Sequence, residues 1–337
     1  MEQWLLPAGV TDAEGLVLRE VPVPEPGPGE VRITVRAVSI NARDALILAG
    51  PFGRAGDRDL VPLSDVAGEI DAVGEGVTQW AVGDRVTDLH FAGWDDGPAP
   101  DDRGGVGLGA DGDDGVLAEQ VVLRADRVTR MPANLSFAEA SALPVAGVTA
   151  WNAVMGRLPV GPGDTVVVIG SGGVALFALQ IATAAGARVV AMGRREEQGE
   201  RLLAMGATDF VNGTTVPGWA AELAGRCGGA AKVVNTIGMR AVGACLPALA
   251  GGGEVAVVGL VEHGSATLDG DALLGRELVV RGVSVGSHRM HRDLVALVER
   301  EHLRPVIDRT FPFSKAPEAF RAQAGGGLFG KLVIEVA

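Results

Sequence analysis

Apolar and polar residues alternate at Val31, Ile33, Val35 and Ala37 against Arg32, Thr34 and Arg36, which predicts a half-buried strand. Just before it, Val21 to Glu30 carries so much proline and glycine that no helix can form there. Short strand patterns follow at Glu69–Val73, closed by Gly74-Glu75-Gly76, then at Arg85–Leu89 and Leu117–Leu123. Residues 92–115 are rich in Gly, Asp and Pro with little to pack, which reads as a mobile surface excursion or as a lid over a site. The first third therefore predicts a compact, mostly β domain.

From about Val128 the pattern changes. Alanine-rich helical stretches alternate with short apolar strands at 166–169, 189–191, 210–211, 232–236, 254–258 and 278–281. Strand alternating with helix at this pitch predicts a parallel sheet wound on both faces. After Gly286 a helix is expected with Leu294, Leu297 and Val298 on one face. Phe311-Pro312-Phe313 comes next, then a Ser314 cap, a short helix through Phe320 and a last strand at Lys331–Val336. The expected domains are residues 1–128 and 287–337, forming a β-rich unit, with 129–286 inserted as a doubly wound α/β domain. The active site is expected in the cleft between the two.

One stretch organises this reading. The β-branched run Thr165–Ile169 ends in Gly170-Ser171-Gly172-Gly173, and a helical pattern starts near Val174. Gly170 permits a tight turn, and Gly172 lacks the Cβ that would collide with a pyrophosphate. The small Ala175 takes the third position of a G-x-G-x-x-A spacing. The helix start then offers free N–H groups and the positive end of its dipole to phosphates. Fifty glycines in 337 residues make chance G-x-G triplets common, so the weight rests on the strand before and the helix after.

The net charge of −13, without any Lys/Arg-rich run, argues against nucleic acid and anionic membrane surfaces as partners. Two cysteines, Cys227 and Cys245, make neither a disulfide framework nor a cysteine-rich zinc site, and read as small packing residues. No apolar run approaches a membrane span, and Met1-Glu2-Gln3-Trp4 does not open like a signal peptide. A cytoplasmic protein acting on a small molecule is expected.

In this type of fold a carboxylate about twenty residues past the glycines marks NAD. Here the second strand ends in Met192-Gly193-Arg194-Arg195 with no acid at its tip. Arg194 and Arg195 can pair with a 2′-phosphate, or they are solvated charges ahead of Glu196 and Glu197. Cations are disfavoured at a helix start, which favours the phosphate role and NADPH (NADP+) as cofactor.

The chain resembles the medium-chain dehydrogenase/reductase superfamily, in its zinc-independent, quinone-oxidoreductase-like or NADP-dependent alcohol dehydrogenase-like branch. The resemblance is carried nearly end to end by Ser39-Ile40-Asn41-Ala42-Arg43-Asp44, the Pro62–Val86 run, AGVTAW at 146–151 and the glycine stretch. GATDFVN at 206–212, RPVIDRTFPF at 304–313 and FGKLVIEV at 329–336 complete it. It implies a Rossmann-type doubly wound parallel sheet inserted into a mostly β, GroES-like catalytic domain, hydride transfer with a nicotinamide, and usually a homodimer or a dimer of dimers. In zinc-dependent members the metal is held at positions that fall here on Asn41, Ser64 and about Ala146. An amide, a hydroxyl and a methyl do not make a zinc site. The family's four-cysteine structural lobe has no counterpart in 92–115, so no metal is expected.

Zinc-independent relatives often carry Tyr after the Asn. Here that residue is Ala42, and the chain has no tyrosine at all. The oxyanion formed by hydride addition must still be stabilised and protonated. Candidates are Asn41 (on the substrate oxygen or the nicotinamide ribose), His90, Thr149, Asp65 or water. His90 has a suitable ordinary pKa, but a single histidine at a strand end is more often structural. Asp65 reads as structural, and Asp44 beside Arg43 does too. The resemblance further implies Thr149, Gly259, Val285 and Gly286 beside the nicotinamide, and Lys331 near the cofactor phosphate or ribose, with His288 and Arg289 as weaker phosphate candidates. With Gly170, Ser171, Gly172, Gly173, Val174, Arg194 and Arg195 these form the expected cofactor site. Losing the phenol at Ala42 also opens room for a bulkier substrate, which the loop around Trp94 could cover.

The expected function is NADPH-dependent reduction of an activated C=C or C=O in an enone, quinone or aldehyde. Alternatives are alcohol oxidation by NADP+, or cofactor binding with little or no redox turnover.

Overall fold

The computed structural model describes residues 1–336 apart from 51, 53–55, 103–104, 111, 217 and 260–263. Two compact units emerge, Met1–Val145 with Ser287–Ala337, and Ala146–Gly286. The first unit runs beyond residue 128, where the sequence pattern changes. Val128–Arg130 pairs with Arg85–Asp88, and the Ser141 carbonyl lies 2.8 Å from Ser39 Oγ, which ties the segment to the β sheet.

In the first unit, β1 (Glu2–Leu5) and β2 (Val17–Glu20) form a small hairpin sheet. The main sheet contains β3 (Glu30–Ile40), β4 (Asp65–Val73), β5 (Arg85–Asp88), β6 (Gln120–Arg124) and β7 (Val128–Arg130). β3 is its hub, because its alternating Val31, Ile33 and Val35 are fully buried in the core. Helix α1 (Ala42–Leu48) leaves the end of β3, and α2 (Phe137–Ala140) is capped by the Ser136 hydroxyl, which accepts from Glu139 N.

The second unit begins with α3 (Val148–Met155). It then alternates β8 (Thr165–Ile169), α4 (Gly173–Ala184), β9 (Arg188–Gly193), α5 (Glu196–Ala204), β10 (Asp209–Asn212), α6 (Trp219–Cys227) and β11 (Ala230–Asn235). Next come the short α7 (Val242–Cys245), β12 (Leu249–Val257), α8 (Gly270–Gly275) and β13 (Val279–Gly282). The six strands are all parallel, in the order β10-β9-β8-β11-β12-β13. Val166, Val167, Val168, Val233 and Val234 are fully buried, as strands covered on both faces require. Both cysteines are free and buried in this unit, and burial pushes the Cys245 thiol up to about 12.

The chain then returns to the first unit through α9 (His288–Arg300), β14 (Ile307–Pro312), α10 (Ala316–Gly325) and β15 (Lys331–Glu335). The sheet order is β14-β15-β3-β4-β5-β7, with β6 also paired to β3.

The Phe311-Pro312 segment is the end of β14, paired with β15. Two local expectations are corrected. Ser314 does not cap α10; it lies inside a 3₁₀ turn, Phe313–Lys315, that runs into the helix. Within 92–115, the described residues Trp94, Leu108 and Ala110 are buried, although residues 103, 104 and 111 lie outside the described set. Arg43 straps this stretch down by donating to the carbonyls of Leu108 (2.9 Å) and Val106 (3.0 Å).

Candidate active site and nucleotide site

Four adjacent strand ends gather polar groups in the first unit. β3 ends at Ile40, just before Asn41, and pairs there with the start of β15, Leu332 standing opposite Ile40. On its other side Ser39 stands opposite Asp65, the first residue of β4, and β4 pairs with β5, which ends at Asp88. Lys331, Asn41, Asp65 and Asp88 therefore meet although they come from distant parts of the chain.

The Lys331 ammonium donates to the Ile40 carbonyl (2.8 Å) and to Asn41 Oδ1 (2.5 Å), and lies 3.5 Å from Asp65 Oδ2. Asp65 is fully buried, with Ser64 Oγ donating to Oδ1 (3.1 Å) and Ser39 Oγ 3.0 Å from Oδ2. Burial lowers the Lys331 pKa, against the opposing pull of Asp65 and Asp44. Burial raises the Asp44 carboxyl to about 6, despite Arg43 at 3.1 Å. Asp44 Oδ2 accepts from Asn41 N (2.7 Å), so this carboxylate fixes the backbone that carries Asn41. Asp88 is held well above the usual carboxylate range, by burial first and the nearby Asp65 second.

The other expected residues fall in various places. Lys331, expected near cofactor phosphate or ribose, is buried, with its ammonium on Ile40, Asn41 and Asp65. His90 is buried, edge-on to Phe91 at 4.6 Å, and a Cβ on Gly107 would lie only 2.4 Å from its ring. That close packing is what a structural histidine shows. His288, expected near phosphate, is used within the first unit: Nε2 lies 2.6 Å from the Phe91 carbonyl and Nδ1 2.9 Å from Asp95 Oδ1. His288 N and Arg289 N donate to the carbonyls of Trp94 and Asp95, and the Arg289 side chain pairs with Asp293. The start of α9 thus clamps the Trp94 segment, which is the opposite of a loose lid.

In the second unit, β8 lies between β9 and β11, where the strand order reverses, and such a switch point leaves a crevice beyond the strand ends. Gly170 there has φ +108°, and an added Cβ would sit 2.6 Å from Thr236 Oγ1. At Gly172 an added Cβ would meet nothing within 4 Å, so backbone and open space face each other at the start of α4. Ser171, Gly173 and Val174 complete the turn and the first helical residues. Arg194 and Arg195 are exposed past the tip of β9, and Arg194 makes no hydrogen bond or ion pair among the described residues. Thr149 is buried in the first turn of α3. A Cβ on Gly259 would lie 2.4 Å from the backbone of Thr236 and Ile237, so only glycine fits that crossing.

Val285 adopts φ +51°, a strained state for a β-branched residue, just ahead of Gly286. Its carbonyl accepts from Asn152 Nδ2 (2.7 Å), while Asn152 Oδ1 and carbonyl accept from Arg281, itself bound to the fully buried Glu254. Sequence reasoning missed Asn152 and Arg281. The available signal was one amide in the apolar helix Val148–Met155.

A β-rich unit whose chain is interrupted by the segment that forms a parallel nucleotide-type sheet defines a dehydrogenase-like fold, and comparison with known proteins agrees. Residues 27–133 match the alcohol dehydrogenase GroES-like domain and residues 173–300 the zinc-binding dehydrogenase family. A zinc-type alcohol dehydrogenase-like protein of Schizosaccharomyces pombe is 36% identical over 317 residues, covering 92% of this chain and 91% of its own. A solved structure assigned as an alcohol dehydrogenase of Sinorhizobium meliloti is 38% identical with TM-score 0.88, covering 99% of both chains. Another, titled an NAD-dependent alcohol dehydrogenase, is 33% identical with TM-score 0.90 over 100% of both chains. The chain belongs to the medium-chain dehydrogenase/reductase superfamily and is an alcohol dehydrogenase-like oxidoreductase.

Proposed function

We propose that this protein is a zinc-free, NADPH-dependent reductase of an activated C=C or C=O, in an enone, quinone or aldehyde. The observation that carries the reading is the glycine turn after β8, at the switch point of the sheet and open at Gly172. Backbone N–H groups of Gly172–Val174 would bind a pyrophosphate there. Arg194 and Arg195, in place of a carboxylate at the tip of β9, favour a 2′-phosphate, although one relative of 33% identity is titled NAD-dependent. Thr149, Gly259, Val285 and Gly286 would border the nicotinamide.

When bound, the reduced nicotinamide supplies hydride. The chain orients the substrate oxygen through Asn41, and Thr149 or water returns the proton. A zinc ion does not fit the residues present. The family's metal positions hold an amide, a hydroxyl and a methyl, and an ammonium already lies 2.5 Å from Asn41 Oδ1. A divalent ion beside that ammonium would be repelled.

The test is NADPH consumption by purified protein with quinones, enones and aldehydes, with NADH in parallel. Turnover of one class with NADPH favoured supports the reading, and activity abolished by chelator and restored by zinc overturns its metal-free part. A second reading, nucleotide binding with little turnover, is favoured by Ala42 in place of tyrosine. Saturable NADPH binding without consumption would establish it.

A further inference from the structure

Asn41 has one side-chain oxygen and one side-chain nitrogen, and the two are treated differently. Oδ1 faces the Lys331 ammonium at 2.5 Å, which settles the amide orientation because an ammonium only donates. Nδ2 is then turned away, fully buried, with no partner among the described residues. The residue itself is 8% exposed. Leaving a buried donor unpaired is costly, so such a group marks a place where something else supplies the acceptor.

The surroundings fix this amide firmly. Its backbone N is held by Asp44 Oδ2, and Lys331 is fixed from two further sides by the Ile40 carbonyl and Asp65. A cation on the carbonyl end of an amide draws electron density toward that end, so its N–H becomes a stronger donor. We propose that Lys331 is a positioning residue that orients and polarises Asn41, whose Nδ2–H donates to the substrate oxygen as negative charge develops on it. This rests on the reductase reading given above and names the group that takes over from the missing phenol. No atom of Lys331 need touch substrate, and it keeps its proton throughout. The ligand chemistry it selects is a carbonyl-type oxygen that becomes anionic, not a phosphate.

The test compares wild type, Lys331→Met, Lys331→Arg, Asn41→Ala and the Lys331→Met/Asn41→Ala double variant, each with kcat, NADPH KM and a melting curve. Asn41→Ala should lower kcat about 100-fold, the usual effect of losing one oxyanion donor. Lys331→Met should lower kcat tenfold or more with NADPH KM unchanged, and should add nothing in the Asn41→Ala background. Lys331→Arg should restore part of the loss by keeping the charge. A phosphate-binding Lys331 would instead raise NADPH KM with kcat kept, and a purely structural one would lower stability in both backgrounds equally; either overturns the proposal.

A binding assay separates this from the reductase reading. Substituted phenolates titrated onto protein with NADP+ should bind more tightly as the oxygen becomes more basic, with a flatter trend in Lys331→Met. No such trend in wild type overturns the inference. Absence of turnover with the trend intact would overturn only the proposed reaction.

Discussion

Asn152 donates a 2.7 Å hydrogen bond to the carbonyl of Val285, and so braces a β-branched residue held at φ +51°. The two are 133 residues apart, and the brace continues through Arg281 to the buried Glu254. Asn152→Ala should leave the carbonyl and Arg281 without this partner and cost about 1–3 kcal/mol, read by denaturant unfolding. If Val285 borders the nicotinamide, nucleotide KM should rise in the same variant. Unchanged stability and KM would show the brace to be idle.

Gly170 and Gly172 separate fold from binding. Gly170→Ala meets both φ +108° and Thr236 Oγ1 at 2.6 Å, so it should destabilise by about 1–3 kcal/mol. Gly172→Ala meets nothing within 4 Å, so stability should stay within about 0.5 kcal/mol. Its methyl would nevertheless stand in the space assigned to the pyrophosphate, and nucleotide affinity should drop at least about tenfold. Calorimetric titration of NADPH onto both variants checks the pair.

The proposed NADPH preference rests on Arg194 and Arg195, exposed past the tip of β9. Replacing both with Ala should remove two charge-assisted contacts to a 2′-phosphate, lowering kcat/KM for NADPH by at least about tenfold. The value for NADH should hardly change. Equal loss with both nucleotides would mean that the arginines do not read the phosphate.

Acid stability should depend on His291, which is buried, 3.5 Å from Thr87 Oγ1. Burial, with His288 and Arg292 nearby, pushes its pKa down to about 3, against the usual 6.5. Between these values the unfolded chain binds more protons, so this contribution to stability is complete above 6.5 and falls as pH drops toward 3. Asp44 works oppositely: with its carboxyl raised to about 6, the folded state binds the extra proton between 6 and 3.8 and gains stability as pH falls there. His291→Gln should therefore flatten the acid loss by up to about 1.4 kcal/mol per pH unit, and Asp44→Asn should steepen it. Urea unfolding of the three proteins between pH 4 and 7 measures both slopes.

The order of elements and the nucleotide turn were legible in the sequence because their signals are local. β-branched runs such as Thr165–Ile169 and the Gly170–Gly172 spacing dictate strand and turn within a few residues, whatever packs around them. The edges β1, β2, β7 and β14 were harder to see, because each is short and becomes a strand through its partner. Asn41 and the two arginines were proposed from residue type and position alone. What surrounds them could not. Lys331 reaches Asn41 across 290 residues only because β15 pairs with β3, and Arg43 turns a loop poor in apolar residues into packed structure through two carbonyls. Strand pairing and side-chain direction are set by the whole sheet, so tertiary structure alone decided that a buried ammonium stands beside Asn41.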